Sequence, residues 1–155
     1  MAPRVNIFRA KESHAGELAL AMSESDLAEV RAAGFDGPED CVGLGLVTSC
    51  AAITITLDGA VVAILGVEDL GDRRGRVWCL ASAVLERFPM LFVHWARQLL
   101  GMLLQRFRQL VFEMSDGHHR ARRLLERFFG ARPGPTRLVG GVSFREYFLG
   151  GTHGW

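Results

Sequence analysis

Ile53-Thr54-Ile55-Thr56-Leu57-Asp58-Gly59-Ala60-Val61-Val62-Ala63-Ile64-Leu65-Gly66 is the stretch whose reading decides the fold class. Its first five residues alternate apolar with polar, the period of a half-buried strand. Asp58 and Gly59 both tolerate positive φ, so they mark a tight hairpin turn. Ala60 to Gly66 is apolar on both faces, which predicts a return strand in the middle of a sheet.

Outward from this hairpin, the same logic orders the rest of the chain. Arg73 to Gly75 is a charged turn bearing a glycine, and Arg76 to Ala81 is the next strand, around Trp78. Pro89 opens the longest helix, which runs to about Phe107 and spans roughly 28 Å. Its polar positions, His94, Arg97/Gln98, Gly101, Gln105 and Arg108, form one narrow stripe. The apolar remainder is broad enough to face a sheet and something more. Leu110 to Met114 reads as a strand, and Ser115 or Asp116 as the cap of a helix reaching Phe129, stopped by Gly130. Arg137 to Val139 and Ser143 to Phe148 form a closing hairpin around Gly140-Gly141. Toward the N-terminus lie a strand at Val5 to Arg9 and a helix from Glu12 to Met22. A second helix is capped by Ser25, with Asp26 and Glu29 in its dipole-favoured first turn, and is ended by Gly34. A third, weakened by Gly43 and Gly45, runs from Pro38 to about Ser49. The order predicts one domain over residues 1–155, of α/β (α+β) class, with a mixed sheet flanked by helices.

Composition sets the bounds. A chain of 155 residues, 49% of them apolar, buries roughly 70% of its unfolded surface and needs neither disulfide nor metal. Cys41, Cys50 and Cys79 are odd in number and lack paired spacing, which points to synthesis in a reducing cytoplasm. Arg4, Arg9, Lys11 and Glu12 interrupt any leader-like pattern. The most apolar stretch, Phe88 to Phe107, carries Arg97 and Arg106, so no membrane span is expected. The net charge of +1 conceals a division: residues 1–72 hold 12 acids and 4 bases (−8), and residues 73–155 hold 5 acids and 14 bases (+9). Opposed lobes either neutralise each other within the fold or steer head-to-tail contacts with other proteins.

The order of elements resembles the GNAT acetyltransferase superfamily. In detail the chain is similar to one bacteriophage branch, the GNAT-like proteins that include the internal virion protein A of short-tailed phages. The residues that carry this resemblance are Met22-x-x-x-Asp26-x-x-Glu29-Val30-x-Ala32, Asp58-Gly59 followed by Ala63-x-x-Gly66-Val67, and Val77-Trp78-x-Leu80. The arginine-rich helix ending at Gly130 and the closing Gly140-Gly141-x-x-Phe144-x-x-x-Phe148 complete it. Together they cover nearly the whole chain. The departures are an extra residue before Gly130 and His118-His119 where the family has Asn.

The resemblance implies an acetyl-CoA site, and two of its positions are altered here. An active GNAT enzyme places R/Q-x-x-G-x-G/A before the long helix, so that backbone amides can approach the pyrophosphate. The corresponding Ser82-Ala83-Val84-Leu85-Glu86-Arg87-Phe88-Pro89 contains no glycine, and Pro89 supplies no N–H. Glu86 repels phosphate and Phe88 crowds it. Losing two or three charge-assisted hydrogen bonds removes on the order of 5 kcal/mol. The tyrosine that acts as general acid in many family members has Leu125 or Glu126 in its place, and the single tyrosine, Tyr147, lies in the last strand. No catalytic residue, cofactor ligand or metal ligand is assigned.

Other chemistry-bearing residues have plainer readings. His118-His119 reads as a solvated pair without ligands at metal spacing, and Asp116 as a helix cap. Arg120, Arg123 and Arg127 share one helix face, with Arg122 and Arg132 nearby; the readings are a solvated face, an acidic protein partner, and packaged DNA, in that order. Cys79 reads as a small buried side chain, Ser49 and Cys50 lack a partner base, and Trp155 is either loose or an anchor at a contact. The expectation is a virion component synthesised in the host bacterial cytoplasm, contacting other virion proteins near the portal. The alternative is a phage-encoded N-acetyltransferase using acetyl-CoA.

Overall fold

A computed structural model describes residues 2–151. Seven strands form one sheet in the order β1-β2-β3-β4-β5-β7-β6. They are β1 Val5–Arg9, β2 Ala51–Leu57, β3 Ala60–Gly71, β4 Arg74–Ala81, β5 Gln109–Ser115, β6 Arg132–Val139 and β7 Val142–Gly150. Every neighbouring pair is antiparallel except β4 and β5. Helices α1 Glu12–Ala19, α2 Glu24–Ala32 and α3 Pro38–Thr48 precede β2, α4 Pro89–Arg106 crosses over between the two parallel strands, and α5 His119–Arg123 follows β5. The α/β class and the mixed sheet flanked by helices are as expected.

The deciding hairpin turns where read, with φ of 48° at Asp58 and 85° at Gly59. β3 is apolar on both sides because helices cover both faces of the sheet, and an irregularity in the β2–β3 register between Ile55 and Thr56 shifts its alternation. Val61 and Ile64 join the core under α1–α3, whereas Val62 and Ala63 join the one under the start of α4. β3 runs on to Gly71, five residues past the expected end, because the turn that stops it is Gly71-Asp72-Arg73, all at positive φ. On the α1–α3 side, Trp78 occupies the space left by two missing side chains. A Cβ on Gly45 or Gly66 would lie 2.6 Å from its ring.

Several expected boundaries move, each for a visible reason. α1 stops at Ala19 rather than Met22, since the following residues join the free edge of β4. Met22 bridges Ser82, the Ser23 N–H donates to Ala81 O at 2.9 Å, and the Ala83 N–H donates to Ala21 O at 2.9 Å. Ser23, not Ser25, caps α2, accepting the Asp26 N–H at 3.3 Å. The long helix buries only Val93 and Leu100 fully and leaves Met90 and Met102 exposed, so its apolar surface is wider than its contacts. The helix expected to reach Phe129 is α5 followed by a π turn, Leu124–Phe128, and neither Ser115 nor Asp116 caps it. A π turn takes up one residue more than an α turn, which accommodates the extra residue before Gly130. No helix among the described residues is long and apolar enough to cross a membrane.

Candidate functional site

Ligands of open α/β sheets bind beyond the carboxyl ends of parallel strands, where neighbouring connections part. β4 and β5 pair only from Arg74↔Gln109 to Val77↔Phe112. Their last residues, Trp78 to Ala81 and Glu113 to Ser115, no longer pair with each other, and a wedge opens between them.

That wedge is bridged by the chain's own α2. Asp26 Oδ2 accepts the Ala81 N–H at 2.7 Å, and Glu29 Oε1 accepts the Ser115 N–H at 2.6 Å. The two carboxylates lie one helical turn apart, on one face of α2. His118 Nε2 meets the other oxygen of Asp26 at 2.8 Å. The pair is largely sequestered, with side-chain exposures of 4% for Asp26 and 18% for His118. Burial works against a charged imidazole, but the hydrogen bond and charge of Asp26 and the charge of Glu29 outweigh it and hold the His118 pKa above the usual histidine value. For Glu29 burial dominates over the Ser115 N–H, and the carboxyl sits above the usual range.

The turn feeding α4 also spends four of its amides within the chain. Ala83–Arg87 is a 3₁₀ turn. Ser82 Oγ accepts the Val84 N–H at 3.1 Å, Ser82 O accepts the Leu85 N–H at 3.2 Å, and Leu85 O accepts the Phe88 N–H at 3.0 Å. The Ala83 N–H already donates to Ala21 O, Pro89 has none, and Leu85 is buried. A diphosphate cradle needs several free amides converging on one point. The residues of this turn do not fit one. Glu86 beside it pairs with Arg120 at 3.4 Å across the mouth between this turn and α5.

The remaining sequence-stretch candidates fall as follows. His118 and His119 are not a solvated pair: His118 turns inward to Asp26, and His119 alone is exposed. Asp26, Glu29 and His118 place ligand-type atoms within 4.8 Å of one another, a convergence no local spacing announced. Both Asp26 oxygens are engaged, by Ala81 and His118, and Glu29 Oε1 is engaged by Ser115. Cys79 keeps solvent access at its surface, yet the protein packed around it desolvates the thiol and pushes its pKa up, and Ser49 accepts the Trp78 Nε1–H at 2.7 Å. Tyr147 is a core residue, Leu125 is buried in the π turn and Glu126 is exposed there. Arg120, Arg123 and Arg127 are all exposed. Arg132 is tied to the carbonyls of Gly150 and Gly151, and Arg122 to that of Asp116, so neither extends the arginine face freely. Trp155 lies outside the described residues.

No family model and no curated protein matches the sequence. Solved structures match the fold. The ribosomal-protein-S18-alanine N-acetyltransferase from Escherichia coli superposes with a TM-score of 0.71 at 12% identity, over 98% of this chain and 99% of that one. A GNAT-family acetyltransferase from Bacillus anthracis gives 0.68 at 11% identity, over 97% and 96%. One from Streptococcus pneumoniae gives 0.58 at 11%, over 94% and 98%. The chain therefore has the GNAT acetyltransferase fold, and identities this low speak for the fold alone.

Proposed function

We propose that this chain keeps the GNAT scaffold without acetyl transfer and works through its surfaces, as a bacteriophage virion component contacting other virion proteins near the portal. The observation that carries the non-catalytic reading is the glycine-free turn before α4 and the use of four of its amides inside the chain. Its amides at 83, 84, 85 and 88 all donate within the chain. The α2 carboxylates on the ends of β4 and β5 add to it. The virion assignment is the finer part and rests on the sequence resemblance. Mass spectrometry of purified, nuclease-treated particles tests it: the protein at stoichiometric abundance supports it, and its absence overturns it.

A second reading, an N-acetyltransferase using acetyl-CoA, is favoured by the acetyltransferase names of the structural neighbours, which suit it better than a virion role. Isothermal titration with acetyl-CoA separates the two. Saturable heat at micromolar coenzyme supports the enzyme, and a flat trace up to millimolar supports the surface reading.

A further inference from the structure

We infer that copies of this chain associate head to tail, the arginine face of one copy seated in the acidic trough between α1 and α3 of the next. α1–α3 pack on one face of the sheet, and α4, α5 and the π turn on the other. Residues 11–48 expose six acids against two bases, Lys11 and Arg31. Three of those acids, Glu12, Glu39 and Asp40, line a trough of about 580 Å³. Ser13, Gly16 and Gly43 open its floor, and Leu44 ends it. No base lines the trough, and among the described residues none of its three carboxylates has an ion-pair partner.

The opposite face carries the complement. Arg123 and Arg127 are exposed and have no carboxylate partner among the described residues. Arg120 holds Glu86 only through an exposed pair, a kind that contributes little in water. Phe128, 49% exposed, stands beside these arginines, and Leu44 and Val47, 53% and 82% exposed, stand on the α3 side. Guanidinium groups recognise carboxylates with two parallel hydrogen bonds, so three of each sign, each with an apolar side chain alongside, are complementary in charge. The two surfaces lie on opposite faces of one sheet, so a chain cannot satisfy both with itself. A contact of this kind is heterologous and builds rings or open strings rather than a closed twofold dimer. It deepens the surface reading by naming a second copy as the partner. An acetyl-transferring chain would associate in the same way, so failure of this inference and failure of that reading are seen in different experiments.

Sedimentation equilibrium of the full chain tests it. At low ionic strength the average mass rises with concentration beyond a dimer, and in about 0.5 M salt it falls back to the monomer. Glu39→Arg with Asp40→Arg disables the trough, and Arg123→Glu with Arg127→Glu disables the arginine face. Each double variant alone stays monomeric, and mixing the two restores association, because the reversed surfaces also complement each other. Glu39→Gln with Asp40→Asn, which spares the first turn of α3 a reversed charge, weakens association in the same direction. A wild type that is monomeric at low salt at every concentration, association insensitive to salt, or a mixture that stays monomeric would each overturn the inference.

Discussion

The carboxylate of Asp26 accepts the backbone N–H of Ala81 at 2.7 Å, so the last amide of β4 is held by a helix rather than by another strand. Glu29, one turn further along α2, does the same for Ser115 at the end of β5. Two parallel strands that part at their carboxyl ends are thereby tied together through one helix face. His118 closes on Asp26 from the start of α5. A crevice of the kind that binds ligands in other α/β sheets is here part of the internal hydrogen bonding of the fold.

Asp26→Ala removes an acceptor from one strand amide and the partner of a buried imidazole at once. Breaking a sequestered pair of this kind costs about 3–5 kcal/mol, which for a chain of this length lowers Tm by roughly 10 °C. Asp26→Asn keeps one acceptor oxygen and is expected to be milder. Thermal unfolding followed by circular dichroism checks both, and an Asp26→Ala melting point equal to wild type would show that the bond to Ala81 does not matter.

The same cluster fixes a sign for the pH dependence of stability. His118 has a folded pKa above its unfolded 6.5, so its contribution is complete below 6.5 and is lost as pH rises through the folded value. Glu29, raised above 4.5 by burial, has the same sign, with its window beginning at 4.5. Urea unfolding of wild type and His118→Gln is expected to show a difference in stability that is largest below pH 6.5 and shrinks above it. A difference that grows with pH contradicts the assignment. Glu29→Gln keeps the acceptor for Ser115 without the charge and is expected to lie within about 1 kcal/mol of wild type at neutral pH.

Gly66→Ala forces a methyl against the Trp78 indole, whose atoms would lie 2.6 Å from the new Cβ. Overpacking of this size costs about 1–3 kcal/mol. Trp78→Phe, by narrowing the ring, is expected to absorb part of that cost, so the double variant should be less destabilised than the sum of the two singles. Additive losses would mean that the two residues do not compete for one space.

Much of this fold is legible in the chain, because turn chemistry and apolar periodicity act locally. Asp58-Gly59, Gly130 and Gly140-Gly141 adopt the positive φ their residue types permit, and they delimit strands and helices where read. What local rules missed is long-range. Ser23 rather than Ser25 caps α2 because residues 21–23 are drawn to the edge of β4, a partner 60 residues away in sequence at Ser82. Nothing near His118 announces its carboxylate, since Asp26 approaches from a helix on the other side of the sheet's mouth. The one available signal was Asp26-x-x-Glu29, two acids one turn apart at a helix start, which the dipole alone explained. The glycine-free turn before Pro89 was legible as a sequence, and the structure adds where four of its amides go.

The central claim concerns those amides, and a ¹H–¹⁵N correlation spectrum recorded during titration with coenzyme A measures them one by one. The account predicts that the resonances of Ala83, Val84, Leu85 and Phe88 stay in place up to millimolar coenzyme, held by Ala21 O, Ser82 Oγ, Ser82 O and Leu85 O. Saturable downfield shifts confined to these residues would contradict it, for they would mean that the turn opens and gives its amides to a phosphate.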